Sequence, residues 1–202
     1  MNYVYNKNLA NCTPSKIREF NSLASKLNAK FKLTLGEPDF DTPIEIKDAL
    51  IEAVNQNHTR YAPTVGNKNL REEICKFEKR VNKVSYEPDE VLITTGSTEA
   101  LTAALFTLLN QDDEVIVPIP CYALYEPVIS YCGAKMIPLD TRPDFQISKG
   151  HLEALINNKT KAILLTSPNN PTGTIYDDKT LENIYNIVKD TNICLLYTSP
   201  SP

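Results

Sequence analysis

The segment that most constrains the fold is residues 162–173, where a strand-like run ends in a corner rich in proline and asparagine. The apolar run Ala162–Leu165 leads into Ser167-Pro168-Asn169-Asn170-Pro171-Thr172-Gly173, and a helical pattern follows. A strand, a tight loop and a helix in this order build ligand sites at the carboxyl ends of strands in open α/β sheets. Pro171 restricts the backbone of Asn170, whose amide can donate to a phenolate or a carboxylate without carrying charge. An ordinary loop rich in turn formers would have the same composition.

The same alternation of strand and helix runs through the rest of the chain. Apolar periodicity predicts strands at 31–35, 91–94, 115–117, 135–139, 162–165 and 193–196, and helices at 14–28, 43–55, 67–81, 101–109, 125–132, 148–156 and 178–188. Thr42 is the expected N-cap of the second helix. Helix 101–109 is almost wholly apolar, so we expect it to be buried. The pattern predicts an α/β fold, with a mostly parallel sheet covered by helices on both faces.

Composition excludes several classes of protein. The 202 residues have 42% hydrophobic and 23% charged side chains, and a net charge of -4 with no basic block, so nucleic acid is not an expected partner. No apolar run has the length of a membrane span, and residues 1–7 lack the core of a signal peptide. The 5 cysteines are scattered and the 2 histidines lie far apart. We therefore expect no metal site and a reducing, cytoplasmic setting.

Two more corners follow predicted strands. Thr95-Gly96-Ser97-Thr98 opens a helix, so it can offer backbone N–H groups, hydroxyls and a positive helix end to a phosphate. Alternatively, Ser97 only caps that helix. The corner Pro118–Tyr122 carries an aromatic ring. With Asn170, these corners predict a pocket for a planar, phosphorylated, oxygen-bearing ring. Tyr61 is either a packed aromatic or a phenol held towards an anion.

Five segments in order carry a resemblance to a known family: residues 35–43, 60–66, 95–100, 120–122 and 167–173. In them the chain resembles the amino-terminal half of a class I/II aminotransferase, a fold-type I pyridoxal-phosphate enzyme. The resemblance implies a three-layer, mostly parallel sheet that is incomplete here. It divides the chain into an amino-terminal arm and small-domain segment (1–44), a partial large domain that binds pyridoxal 5'-phosphate (45–196) and an aberrant tail (197–202).

The resemblance also implies roles for individual residues. Gly96, Ser97 and Thr98 would hold the cofactor phosphate at the helix N-terminus. Tyr61 would reach the phosphate bound by a neighbouring subunit, which implies a homodimer.

The remaining roles concern the ring and the substrate. Tyr122 would stack on the pyridine ring, and Asn170 would donate to the ring phenolate oxygen and lie beside the substrate. The bond from Asn170 to Pro171 resembles one that the family holds in cis. Gly36 would meet the substrate carboxylate through its backbone.

The match breaks near the end of the chain. The family places an aspartate that pairs with the pyridine nitrogen where this chain has Thr198, and threonine supplies no negative charge. No lysine here matches the one that binds the cofactor covalently, and the arginine that clamps the substrate carboxylate is also unmatched, so no catalytic residue is assigned. The pattern is lost from Tyr197, and residues 194–202 resemble translated sequencing adapter joined to a truncated gene. We expect this chain alone to be inactive.

The resemblance implies that the intact protein exchanges an amino group between an amino acid and a 2-oxo acid. A pyridoxal-phosphate-dependent carbon–sulfur lyase would share the same segments. A non-catalytic regulator with an aminotransferase-like domain is a second alternative, and a phosphate-binding α/β module unrelated to this cofactor is a third. The amino-acid donor is not predicted.

Overall fold

A computed structural model describes residues 6–9, 16–27, 30–31, 36 and 38–198. The chain divides into two compact units. The sheet unit comprises residues 1–15 and 101–202, and the helical unit comprises residues 16–100. The domain boundaries expected at 44/45 and 196/197 remain a proposal.

The sheet unit is built on four parallel strands: β1 (Glu114–Ile119), β2 (Lys135–Asp140), β3 (Thr160–Thr166) and β4 (Cys194–Thr198). Their order across the sheet is β2-β1-β3-β4, and every pair is parallel. The two central strands are largely buried, because a parallel sheet is covered on both faces. The predicted α/β fold with a parallel sheet is therefore confirmed.

Helices cover the sheet in two separate hydrophobic clusters. The helices are α4 (Ser97–Leu108), α5 (Tyr125–Tyr131), α6 (Lys149–Leu155) and α7 (Asp178–Val188). One cluster joins α4 and α5 to Val115, Val117 and Leu164. The other joins α6 and α7 to Ile116 and Ile163. Because successive strand residues point to opposite faces, these clusters lie on the two sides of the sheet and make three layers.

Helix α4 is buried along only one of its faces. Leu101 and Leu105, four residues apart in the helix, are buried, as is Leu109 just after it, but the neighbouring Phe106 is 64% exposed. The expectation that this helix is buried is therefore confirmed for one of its faces and wrong for the other. Apolar composition alone does not distinguish a fully buried helix from one that leaves an apolar face uncovered.

The helical unit contains α1 (Lys16–Lys26), α2 (Ile44–Asn55) and α3 (Lys68–Val81). Asn67 caps α3, accepting a hydrogen bond from the Leu70 amide at 3.3 Å, as its position before the helix predicts. The buried Arg71 donates to the carbonyl of Pro88, in the 3-10 turn Pro88–Glu90, at 2.6 Å. This bond joins α3 to the segment that leads towards Gly96.

Helix α2 begins one residue later than expected. Pro43 occupies the N-cap position and makes no side-chain cap, so the predicted Thr42 cap was wrong. Proline at this position has no side-chain acceptor to offer. No residue of α2 is buried, and its large apolar side chains are largely exposed: Ile44, Ile46, Leu50, Ile51 and Val54.

Two strand predictions differ from the structure. Residues 91–94 form no strand: the Ile93 amide bonds to the Val65 carbonyl at 3.1 Å, and no strand among the described residues pairs with the segment. A β-prone sequence becomes a strand only where a neighbour completes the ladder. Of the strand predicted at 31–35, Phe31 lies in no element and residues 32–35 lie outside the described residues, as do the ends of the helix predicted at 14–28.

Strand β4 runs two residues further than predicted. Tyr197 pairs with Leu165, and Thr198 pairs with Thr166, in the parallel register of the preceding residues. The strand end predicted at residue 196 was therefore wrong, and the aberrant tail expected at 197–202 stays a prediction. The backbone ladder continues because it needs only amide and carbonyl groups in register.

Candidate functional site

Two of the predicted corners meet at the carboxyl edge of the sheet. They follow β1 and β3, which are neighbours in the strand order. The Asn169 side-chain amide Nδ2 donates to the Pro120 carbonyl at 3.1 Å, and Asn169 is only 7% exposed. This hydrogen bond connects the corner that carries Tyr122 to the loop that carries Asn170. The corner at Gly96 lies in the other unit, so the convergence of all three corners stays a prediction.

The loop after β3 is closed by its own backbone. The Asn169 amide donates to the Thr174 carbonyl, and the Gly173 amide donates to the Asn169 carbonyl, both at 2.8 Å. Gly173 has a φ of +71°, a conformation that suits glycine. Asn170 lies in this closed loop with its side chain exposed, and the Asn170–Pro171 peptide is cis, as the resemblance implied.

Tyr122 forms the aromatic part of this edge. Its ring meets the ring of Tyr125 edge-on, with centroids 5.6 Å apart and planes at 82°. Tyr122 itself is partly buried and packs on the cluster beneath α4 and α5. Such edge-to-face packing holds an aromatic ring in a defined orientation. The Tyr122 ring can therefore serve as a fixed flat surface beside the Asn170 loop.

A row of hydroxyl groups lies beneath this corner. The Tyr125 hydroxyl and the Thr166 Oγ1 are 2.6 Å apart and buried, and the Thr198 Oγ1 donates to the Thr166 Oγ1 at 3.5 Å. Neither Tyr125 nor Thr166 was predicted from the sequence as a site residue. A hydroxyl residue directly after the apolar run Ala162–Leu165 was the available signal for Thr166. Thr198, the last residue of β4, therefore brings a hydroxyl and not a carboxylate to this row.

Replacing Tyr125 with phenylalanine is expected to lower the free energy of unfolding by about 1–3 kcal/mol, because the Thr166 hydroxyl would lose its close buried partner. Denaturant unfolding of the two proteins would measure the difference. Tyr131→Phe is the matched control, because Tyr131 is 45% exposed. Equal effects of the two substitutions would show that the buried hydrogen bond contributes nothing.

Burial also affects the ionisable groups near the corner. It raises the pKa of Tyr176 to about 12, with a smaller contribution from Tyr125. The pKa of the Cys121 thiol is raised by burial and, to a smaller extent, by Glu126. Both groups are therefore protonated at neutral pH. Among residues 6–9, 16–27, 30–31, 36 and 38–198, no histidine, cysteine and carboxylate side chains group as a metal site, and no helix is long and apolar enough to cross a membrane.

The corner at Gly96, at the N-terminus of α4, has features that suit an anion. Helix α4 begins at Ser97, and the Ala100 amide donates to the Gly96 carbonyl at 3.4 Å. Gly96 has a φ of +83°, and the space where a Cβ would lie is open. Ser97 and Thr98 are exposed in the first turn of α4. Exposed donors at a helix N-terminus suit a phosphate, although the Glu99 carboxylate already accepts from the Thr95 amide.

The two remaining predicted residues are exposed within the helical unit. The Tyr61 side chain is fully exposed, so the interpretation of Tyr61 as a packed aromatic is wrong within this chain. Gly36 is exposed as well, with nothing within 4 Å of the position of a Cβ. Both residues are accessible to a substrate or to another chain.

The fold and its corners define a class: an open, parallel α/β sheet with ligand-binding loops at the carboxyl ends of its strands. Comparison with known proteins gives the family. Residues 28–197 match the family described as aminotransferase class I and II. The chain therefore belongs to this family.

Individual relatives agree with the family. The chain is 36% identical to a putative aminotransferase, YugH, of Bacillus subtilis, over 91% of this chain and 48% of that protein. It is 35% identical to a probable N-acetyl-LL-diaminopimelate aminotransferase of the same organism, over 97% of this chain and 50% of that protein. The aspartate aminotransferase of Thermus thermophilus with maleate superposes with a TM-score of 0.92 at 31% identity, over 98% and 53% of the two chains. The chain spans about half the length of the curated relatives it matches.

Proposed function

We propose that this chain is the cofactor-binding half of a pyridoxal-phosphate-dependent aminotransferase that exchanges an amino group between an amino acid and a 2-oxo acid. The observation that carries the proposal is the Asn169–Pro120 hydrogen bond, which brings the Asn170 loop to the Tyr122 corner. An aromatic surface and an exposed neutral amide then lie along one sheet edge. The whole protein is proposed to be a cytoplasmic homodimer, to which Tyr61 contributes across the subunit interface.

All but one of the site residues expected from the family resemblance have side chains or backbone groups that suit pyridoxal phosphate. Ser97 and Thr98 would hold the phosphate beside Gly96, whose own amide donates to the Thr94 carbonyl at 2.9 Å, and Tyr122 would face the ring. Asn170 would donate to the phenolate oxygen, and Gly36 would lie at the substrate carboxylate. When bound, the cofactor supplies an electron sink for the amino-group chemistry. The protein side chains named here would bind and orient it, and no lysine of this chain is assigned as the acid–base catalyst.

One position does not fit. Thr198 stands where the family has the aspartate that pairs with the pyridine nitrogen, and its hydroxyl donates to Thr166 at 3.5 Å. A hydroxyl cannot stabilise a positive charge on that nitrogen as a carboxylate does. We therefore propose that the chain binds the cofactor without this charge pair, and that it does not transaminate by itself.

Pyridoxamine 5'-phosphate is the probe that tests this proposal, because its amine cannot react with surface lysines as an aldehyde would. Calorimetric titration of the 202-residue chain is expected to show saturable binding that weakens when the probe lacks its phosphate. Ser97→Ala is expected to weaken binding of the phosphorylated probe by about 10-fold, because a charge-assisted hydrogen bond is lost.

The matched control is Ser148→Ala. Ser148 also lies at the start of a helix, as the N-cap of α6, and its side chain makes no capping hydrogen bond. Asn170→Ala should weaken binding of the probe with and without its phosphate, because Asn170 is assigned to the ring. Absence of saturable binding, or equal affinities of Ser97→Ala and Ser148→Ala, would contradict the proposal.

A further inference from the structure

We propose that Asn169 is a positioning residue that sets the Tyr122 ring and the Asn170 amide at a fixed separation. This inference rests on the function proposed above, and it gives Asn169 a part in that site without contact to the cofactor. Asn169 and Asn170 are adjacent, but they are placed differently: Asn169 is buried, whereas Asn170 is exposed. The Asn169 side chain therefore bonds within the protein, and the Asn170 side chain is available to a ligand.

Asn169 makes hydrogen bonds to the Tyr122 corner after β1 and within the Asn170 loop after β3. Its side chain donates to the Pro120 carbonyl, across 49 positions of sequence. Its backbone amide and carbonyl close the loop through Thr174 and Gly173. A single residue thus fixes the shape of the Asn170 loop and the place of that loop on the Tyr122 corner.

The bond to Pro120 requires a donor of a particular length. The acceptor is the Pro120 carbonyl oxygen. An aspartate carboxylate at position 169 has the same shape as the amide but no hydrogen to donate, so its oxygen would repel the carbonyl oxygen. A serine hydroxyl would be neutral but too short to span the 3.1 Å contact from the same backbone position. Asn169→Asp and Asn169→Ser therefore remove the same bond in two different ways, one with an added charge and one without.

The first arm of the test uses the chain without ligand. Nuclear magnetic resonance spectra of Asn169→Asp and Asn169→Ser are expected to show shifted signals for both the Tyr122 ring and the Asn170 side-chain amide. Amide exchange should become faster at Gly173, which donates to Asn169, and stay unchanged at Leu164 inside β3. Changes confined to the loop, with Tyr122 unmoved, would overturn the proposal.

The second arm measures affinity for pyridoxamine 5'-phosphate. Both Asn169 variants are expected to bind at least about 10-fold more weakly than the parent chain, which is the effect of losing one well-placed contact to the ligand. Asn158→Asp is the control for added charge, because Asn158 is exposed on the same unit. Affinities within about twofold of the parent, together with faster loop exchange, would show a purely structural role and overturn the proposal.

The two arms separate the possible failures. A parent chain that does not bind the probe refutes the proposed function, and the ligand-free spectra then decide the positioning role alone. If Asn169→Asp does not fold, as judged by circular dichroism, Asn169→Ser decides it. If neither variant folds, Asn169 is a residue of the fold and the positioning role is overturned.

Discussion

Replacing Leu105 with alanine is expected to lower the free energy of unfolding by about 3–5 kcal/mol. Leu105 lies in α4, is fully buried and belongs to the cluster that joins α4 and α5 to the sheet. The substitution removes apolar surface from that cluster and leaves a cavity that the parallel strands beneath cannot fill by small shifts. Denaturant unfolding, followed by circular dichroism, would measure the loss.

The next residue along α4 provides the control. Phe106 is larger than Leu105 but 64% exposed, so Phe106→Ala is expected to change the unfolding free energy by less than about 1 kcal/mol. A cost for Phe106→Ala equal to that of Leu105→Ala would mean that the uncovered face of α4 is in fact packed in solution. That result would contradict the burial described here.

Replacing Gly66 with alanine is the second substitution expected to have a large effect, about 2–4 kcal/mol. Gly66 ends a turn in which its amide donates to the Pro63 carbonyl at 2.8 Å, and its φ is +96°. A Cβ at this position would lie 2.4 Å from the Cβ and Cγ1 atoms of Ile93. Ile93 would have to move, although its amide is bonded to Val65 in the same turn.

Gly96→Ala separates the two causes of this effect. Gly96 also has a positive φ, of +83°, but nothing lies within 4 Å of the position of a Cβ. Gly96→Ala should therefore lower the free energy of unfolding only by the cost of placing alanine at a positive φ, about 1 kcal/mol. Comparing the unfolding free energies of the two variants gives the contribution of crowding against Ile93. Equal costs would show that Ile93 adjusts freely.

The sequence predicted the sheet well because its signals are local. Runs such as Ala162–Leu165 are too short for helices and end in a proline corner, so the order of strands and helices could be read directly. The 91–94 segment shows the limit of this reasoning. Its residues favour a strand, but strand formation depends on a neighbour that the segment itself does not specify.

The candidate site was predicted in part for a similar reason. Asn170 was selected because proline follows it and a family motif includes it. Asn169 was not selected, although it is the residue that the structure buries and bonds to Pro120. Which of two adjacent asparagines points inward depends on the loop conformation, and composition does not encode that. Tyr125 and Thr166 were missed because their contact joins elements 41 positions apart.

The strand order has a consequence for how this chain folds as it is synthesised. β2, which follows β1 along the chain, pairs with one edge of β1, and β3, which is synthesised later, pairs with the other edge. β4 in turn adds to β3. The strand with which each of β2, β3 and β4 pairs is therefore synthesised before it. The sheet can grow outward in the direction of translation. The Asn169 contact, which needs both β1 and β3, would then mark the moment at which the edge of the sheet acquires its binding loops.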